Sequence, residues 1–129
     1  MHIFEFIIPL DPAPKQRPRK GKYGSFYTPK KTTDFENAYK RHIRMAMANN
    51  LVKRLDGPVK LWVEFHIKRG KTVKRQFPVV VPDIDNLQKL LLDSMNRVLF
   101  KDDAQVIELN SKKLYAKELG EIHVRVEGQ

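Results

Sequence analysis

The sequence contains no cysteine, which excludes disulfides, thiolate metal sites and cysteine nucleophiles together. It has no apolar run long enough to cross a bilayer, so no membrane partner is expected. Internal repeats, low-complexity tracts and linkers are also lacking, and residues 1–129 read as one domain. The opening MHIFEFIIPLDP has no basic stretch ahead of its apolar one and carries Glu5 within it. It therefore reads as a first strand and not as a secretory leader, and a soluble cytoplasmic protein is expected. One further absence is local: from Pro12 to Thr33 there is no acidic residue.

What is present is positive charge, unevenly spread. The net charge is +10. Residues 1–82 hold 18 Lys/Arg against 6 Asp/Glu, a balance of +12, whereas residues 83–129 hold 7 against 9, a balance of −2. A cationic part joined to a slightly acidic one suits a protein that grips a polyanion with the first and acts on it with the second.

The basic charge is concentrated in two loops. Residues 11–32 carry Lys15, Arg17, Arg19, Lys20, Lys22, Lys30 and Lys31, with Tyr23, Phe26 and Tyr27 interleaved. Four prolines and two glycines argue against regular structure through most of this stretch. Cations for phosphates and aromatic faces for unstacked bases are what a nucleic-acid contact uses. Residues 70–78 form a second basic loop, which together with Arg69 brings Lys71, Lys74 and Arg75 close in sequence to the acidic segment that follows.

Periodicity supplies the frame. His2–Pro9 is a β-branched and aromatic run. Thr33-Asp34-Phe35-Glu36 has the form of a capping box, so a helix is expected from Thr33, with Phe35, Tyr39, Ile43 and Ala46 or Met47 on its buried face. Asn49 and Asn50 end it, unless Leu51–Leu55 continue the last turn. From Val59 to Lys68 apolar and polar residues alternate cleanly, with Trp62 on the polar side, under a loop or helix or in an interface. His66 reads as a surface histidine, since no second histidine lies near it in sequence. Ala104–Tyr115 and Glu121–Glu127 read as two further strands. The expected fold is α+β: a mixed sheet of about four strands and two helices, in the order β-α-β-α-β-β.

Acidic residues concentrate between Val79 and Val106. Pro82 directs the chain into Asp83 extended. Asp85 or Asn86 is a natural N-cap for a helix that buries Leu87, Leu90, Leu91, Met95 and Val98 or Leu99. Lys89 stands one turn after Asp85, and Asp102-Asp103 precede the next strand. Hard divalent cations take a few carboxylates and keep waters or phosphate oxygens for the rest, so Asp83, Asp85 and the later pair predict a metal site. Lys89 would then either neutralise charge on a phosphorane-like transition state or position the attacking water.

Asp83-Ile84-Asp85-Asn86-Leu87-Gln88-Lys89, followed by Asp102-Asp103-Ala104-Gln105-Val106, resembles the signature of RusA-type Holliday junction resolvases. These are small crossover-junction endodeoxyribonucleases, often carried by phages and prophages. Pro14–Arg19 and Tyr27-Thr28-Pro29-Lys30 are similar to the N-terminal region of many members, though the loop is richer in Lys and Arg than the enterobacterial pattern. The resemblance implies a homodimer that binds a four-way DNA junction and nicks two strands symmetrically in recombination and repair, using Mg²⁺ or Mn²⁺. It places the metal-binding aspartates on Asp83, Asp85 and Asp103 and the catalytic lysine on Lys89. Asp102 then stands behind the ligands or joins them occasionally. It also implies the cytoplasm of a bacterium or phage-infected host. Two other readings compete: a basic nucleic-acid-binding protein without catalysis, and a metal nuclease for other branched DNA or RNA.

Overall fold

The computed structural model describes residues 1–27 and 29–129; Thr28 and the side chains of Arg19 and Tyr27 lie outside the described residues. Four strands form the main sheet: β1 (His2–Ile8), β4 (Val59–Ile67), β5 (Val106–Tyr115) and β6 (Glu121–Gly128). A short hairpin of β2 (Arg19–Lys20) and β3 (Phe26–Tyr27) projects from the first basic loop, where the proline content predicts little regular structure. The helices are α1 (Lys30–Asn49) and α2 (Ile84–Met95).

The sheet order is β1-β6-β4-β5. β6 pairs antiparallel with both β1 and β4, whereas β5 joins β4 in parallel, so the sheet is mixed. The main elements follow in the order β-α-β-α-β-β, as the periodicity predicts. A parallel pair needs a crossover, and α2 supplies it between β4 and β5.

Strict alternation decides which sheet face is covered. Val59, Leu61, Val63 and Phe65 of β4 and Ile122, Val124 and Val126 of β6 point inward and are buried. They pack with Tyr39, Ile43 and Met47 of α1 and with Leu87, Leu90, Leu91 and Met95 of α2. Both helices therefore lie on one face. The other face is left open, with Ile3 and Ile7 about half exposed. Trp62 lies there half-buried, with the Arg125 guanidinium 5.5 Å from its ring centroid. Such a cation–aromatic contact stabilises by about 0.5–1 kcal/mol at an exposed site.

Helix boundaries depart from the expected caps. α1 starts at Lys30 behind Pro29, one turn before Thr33. Thr32 is buried and its hydroxyl accepts the Gln16 N–H at 3.4 Å, so tertiary contacts hold the extra turn helical. Thr33 spends its own N–H on the Pro29 carbonyl, at 3.2 Å, inside the helix. The far end closes at Asn50, as expected. Leu51, at φ 54°, turns the chain, and the Val52 and Leu51 N–H groups cap the Met47 and Ala48 carbonyls. The first basic loop is seated by Tyr39, whose hydroxyl accepts the Ala13 N–H at 2.9 Å and donates to the Asp11 carbonyl at 3.3 Å. Gly120 packs beside it: a Cβ there would lie 2.0 Å from the Asp11 carboxylate and 3.1 Å from its Cα, so Asp11 would have to shift.

Candidate active site

Asp83 is the residue that caps α2, and it does so with extended backbone, φ −71° and ψ 146°. The N-cap therefore falls ahead of the expected Asp85 or Asn86, because Ile84 already packs against the core as the first helical residue. The Asp83 carbonyl accepts the Leu87 N–H at 3.2 Å, but its carboxylate makes no capping hydrogen bond. Asp85 falls in the first turn, where the positive end of the helix dipole favours an anion. Both carboxylates are exposed and neither forms an ion pair among the described residues.

Asp83, Ile84 and Asp85 line a shallow cleft of about 520 Å³ with Phe77, Pro78, Val79 and Lys113. The Lys113 ammonium donates to the Val80 and Pro82 carbonyls, each at 2.8 Å. It ties the segment ahead of α2 to β5 and sets a cation beside two carboxylates. Sequence reasoning gave Lys113 no role. The available signal was a lysine on the inward-facing side of β5, opposite Phe65 in the register.

Lys89 is exposed one turn beyond Asp85, off the face formed by Leu87, Leu90, Leu91, Ser94 and Met95. Asp102 acquires a definite task. It caps the short 3₁₀ turn Asp103–Gln105, its carboxylate accepting the Ala104 N–H at 2.9 Å. Gln105 completes the cap by accepting the Lys101 and Asp102 N–H groups at 2.9 and 3.3 Å. The same side chain donates to the Leu55 and Gly57 carbonyls, both at 2.9 Å, fixing the turn to the chain that leads into β4. Asp103 is left exposed.

The two acidic pairs lie toward opposite ends of the sheet. Asp83 precedes α2, which rises about 18 Å over its 12 residues before the chain turns toward Asp103. Lys113, bound to the segment just ahead of α2, lies seven residues along β5 from Val106, about 23 Å away. The turn with Asp103 leads into Val106. Octahedral Mg²⁺ holds oxygens at about 2 Å, so its ligands stand within about 4 Å of one another. One chain does not bring Asp103 to Asp83 and Asp85 on that scale.

The basic loops divide between anchored and free cations. Lys15 pairs with Asp93, and its N–H donates to the Asn86 carbonyl at 3.0 Å, so it docks the first loop onto α2. Arg17, Lys20, Lys22, Lys30 and Lys31 are exposed, as are Tyr23 and Phe26, at 90% and 73%. Those two aromatics are thus available to a ligand and do not pin the loop to the core. The Arg19 side chain, Tyr27 as an aromatic contact and Thr28 lie outside the described residues. In the second loop, Arg69 stacks at 4.1 Å over the Tyr115 ring and donates to the Val73, Arg75 and Gln76 carbonyls. Arg75 donates to the Tyr115 hydroxyl at 2.8 Å. These two arginines shape the loop, and Lys71 and Lys74 are left facing solvent.

A strongly cationic α+β domain with unpaired carboxylates at the N-terminus of a helix, flanked by exposed lysine loops, has the features of a nucleic-acid-processing enzyme. The particular family follows from comparison with known proteins. The chain belongs to the RusA endodeoxyribonuclease family, whose model, Endodeoxyribonuclease RusA, matches residues 9–127. That family comprises nucleases that resolve Holliday junctions. The chain is also similar to the uncharacterized protein YqaN of Bacillus subtilis (strain 168), with 24% identity over 131 residues covering 92% of each chain. Among the described residues, no helix is long and apolar enough to cross a membrane.

Proposed function

We propose that this protein is a Mg²⁺- or Mn²⁺-dependent endonuclease that resolves four-way DNA junctions as a homodimer, in recombination and repair in the cytoplasm of a bacterium or phage-infected cell. The observation that carries the proposal is the pair of exposed, unpaired carboxylates, Asp83 and Asp85, at the start of α2. They offer only oxygen donors, are exposed and form no ion pair among the described residues, so they fit a hard divalent ion. When bound, the ion polarises the scissile phosphate and lowers the pKa of the attacking water.

The separation of Asp103 from that pair favours a site composed between two copies. Asp83 and Asp85 of one protomer would meet Asp103 of the other, and two-fold symmetry would generate two such sites for two strands of the junction. Asp102 holds the turn that presents Asp103. Lys89 stands beside the acidic pair to stabilise charge developing on the phosphate. Lys113 holds the Val80 and Pro82 carbonyls just ahead of the acidic pair. Arg17, Arg19, Lys20, Lys22, Lys30, Lys31, Lys71 and Lys74 would grip phosphates around the crossover, with Lys15, Arg69 and Arg75 positioning the loops.

The test is cleavage of a synthetic four-way junction in Mg²⁺ by wild type and by Asp83→Asn and Lys89→Met, with junction binding measured in parallel. Retained binding with cleavage reduced about 10²-fold or more is expected for each. Cleavage at wild-type rate by Asp83→Asn would remove the acidic pair from the reaction. Preference for linear duplex over the junction would redirect the substrate assignment.

A further inference from the structure

The open face of the sheet carries a second set of metal-ligand chemistry, away from α2. Glu64, His66 and His123 offer one ligand atom each within 4.8 Å of one another, the group of three or more such residues found among the described residues. Glu64-Phe65-His66 on β4 and Glu121-Ile122-His123 on β6 share one spacing, with the apolar middle residue buried in the core and its two neighbours facing out. Because the strands are antiparallel, Glu64 falls opposite His123 and His66 opposite Glu121. The two imidazoles stack with centroids 4.2 Å apart. Each has its Nε2 against a carboxylate, His66 at 3.0 Å from Glu64 and His123 at 2.8 Å from Glu121.

Among the described residues neither glutamate is paired to a lysine or arginine. Two imidazoles and a carboxylate are the donors that suit zinc-class divalent ions, whereas all-oxygen sets suit Mg²⁺. Tetrahedral bonds of about 2.0–2.1 Å put ligand atoms about 3.3 Å apart, and those of the present cluster lie within 4.8 Å of one another. The strand backbone beneath is held on both sides, β4 by β5 and β6, and β6 by β1 and β4. Glu64 and His123 also form part of the wall of a trough of about 830 Å³ on this face, which leaves a side of the cluster accessible from solvent.

We propose that Glu64, His66 and His123 form a binding site for a divalent transition-metal ion of the zinc class, separate from the acidic site and clamping β4 to β6 on the open sheet face. Glu121 orients His123 from the edge of the site, as carboxylates commonly orient metal-bound imidazoles. An ion there binds the folded sheet and not the unfolded chain, so occupancy raises thermal stability.

The experiment uses the full chain after EDTA treatment and dialysis, at about pH 7.5. Calorimetric titration with Zn²⁺, and with Co²⁺ followed by its visible absorption, should give one ion per chain and an upward shift in Tm. His66→Ala and His123→Ala should each weaken binding by about tenfold or more, while the double variant Asp83→Asn/Asp85→Asn keeps it. Ring resonances of the four histidines provide a readout in the unaltered protein: Zn²⁺ should shift those of His66 and His123 and leave His2 and His42 unchanged. Absence of Zn²⁺ binding, loss of it in the aspartate variant alone, or movement of His2 or His42 instead would overturn the proposal.

Discussion

Mixing subunits that carry different defects separates a nuclease site built within one chain from one built between two. Asp83 follows the segment that Lys113 ties to β5, whereas Asp103 just precedes Val106, about 23 Å back along that strand and several times the spacing that one cation spans. If the site pairs Asp83 of one protomer with Asp103 of the other, a mixed dimer of Asp83→Asn and Asp103→Asn concentrates both defects in one site and leaves the second intact. Random reassociation of equal amounts makes about half of the dimers mixed, each with one working site of two, so the pool should recover about a quarter of wild-type nicking. Each variant alone should recover almost none. The assay is cleavage of a supercoiled cruciform plasmid by differently tagged subunits whose exchange is verified by co-purification. A single working site gives nicked circles, whereas two give linear product. No recovery despite verified exchange would refute the argument and return all three aspartates to one chain. Asp83→Asn mixed with Asp85→Asn is the control, since both defects then fall on the same half and no recovery is expected.

Two further predictions concern stability. Burial raises the Tyr39 phenol to about 12; the Ala13 N–H bond opposes this shift and the nearby Asp11 charge adds to it. The folded pKa exceeds the unfolded one, so the neutral phenol's contribution is complete below about pH 10 and is lost as pH rises through about 12, at up to about 1.4 kcal/mol per pH unit. Tyr39→Phe should abolish that alkaline slope and cost about 1–3 kcal/mol at neutral pH by orphaning the Ala13 N–H. Urea unfolding across the pH range checks both, and an unchanged slope in the variant would count against Tyr39. Leu51 is 90% exposed in a left-handed conformation. Leu51→Gly should therefore stabilise by about 1 kcal/mol, raising Tm by about 3–5 °C in a calorimetric scan; a lower Tm would contradict the assignment of strain.

Sequence alone determined the sheet and its two helices, because alternation in Val59–Lys68 and Glu121–Glu127 and helical spacing after Asp85 are local patterns that burial enforces directly. It also determined the family, through the Asp83–Lys89 and Asp102–Val106 motifs, and the cationic loops. It misplaced the start of α1, since the capping residues at Thr33 were overruled by the burial of Thr32 against the loop, a contact across 16 residues. Tertiary structure alone assigned Asp102 to a cap, gave Lys113 its carbonyl partners and set Asp103 apart from Asp83 and Asp85. The histidines are the clearest case. His66 has no histidine near it in sequence, yet antiparallel pairing of β4 with β6 stacks it on His123, 57 residues away. The repeated Glu-apolar-His triplet was visible in the chain, but its meaning depended on strand register, which is fixed by the core on the opposite face of the sheet.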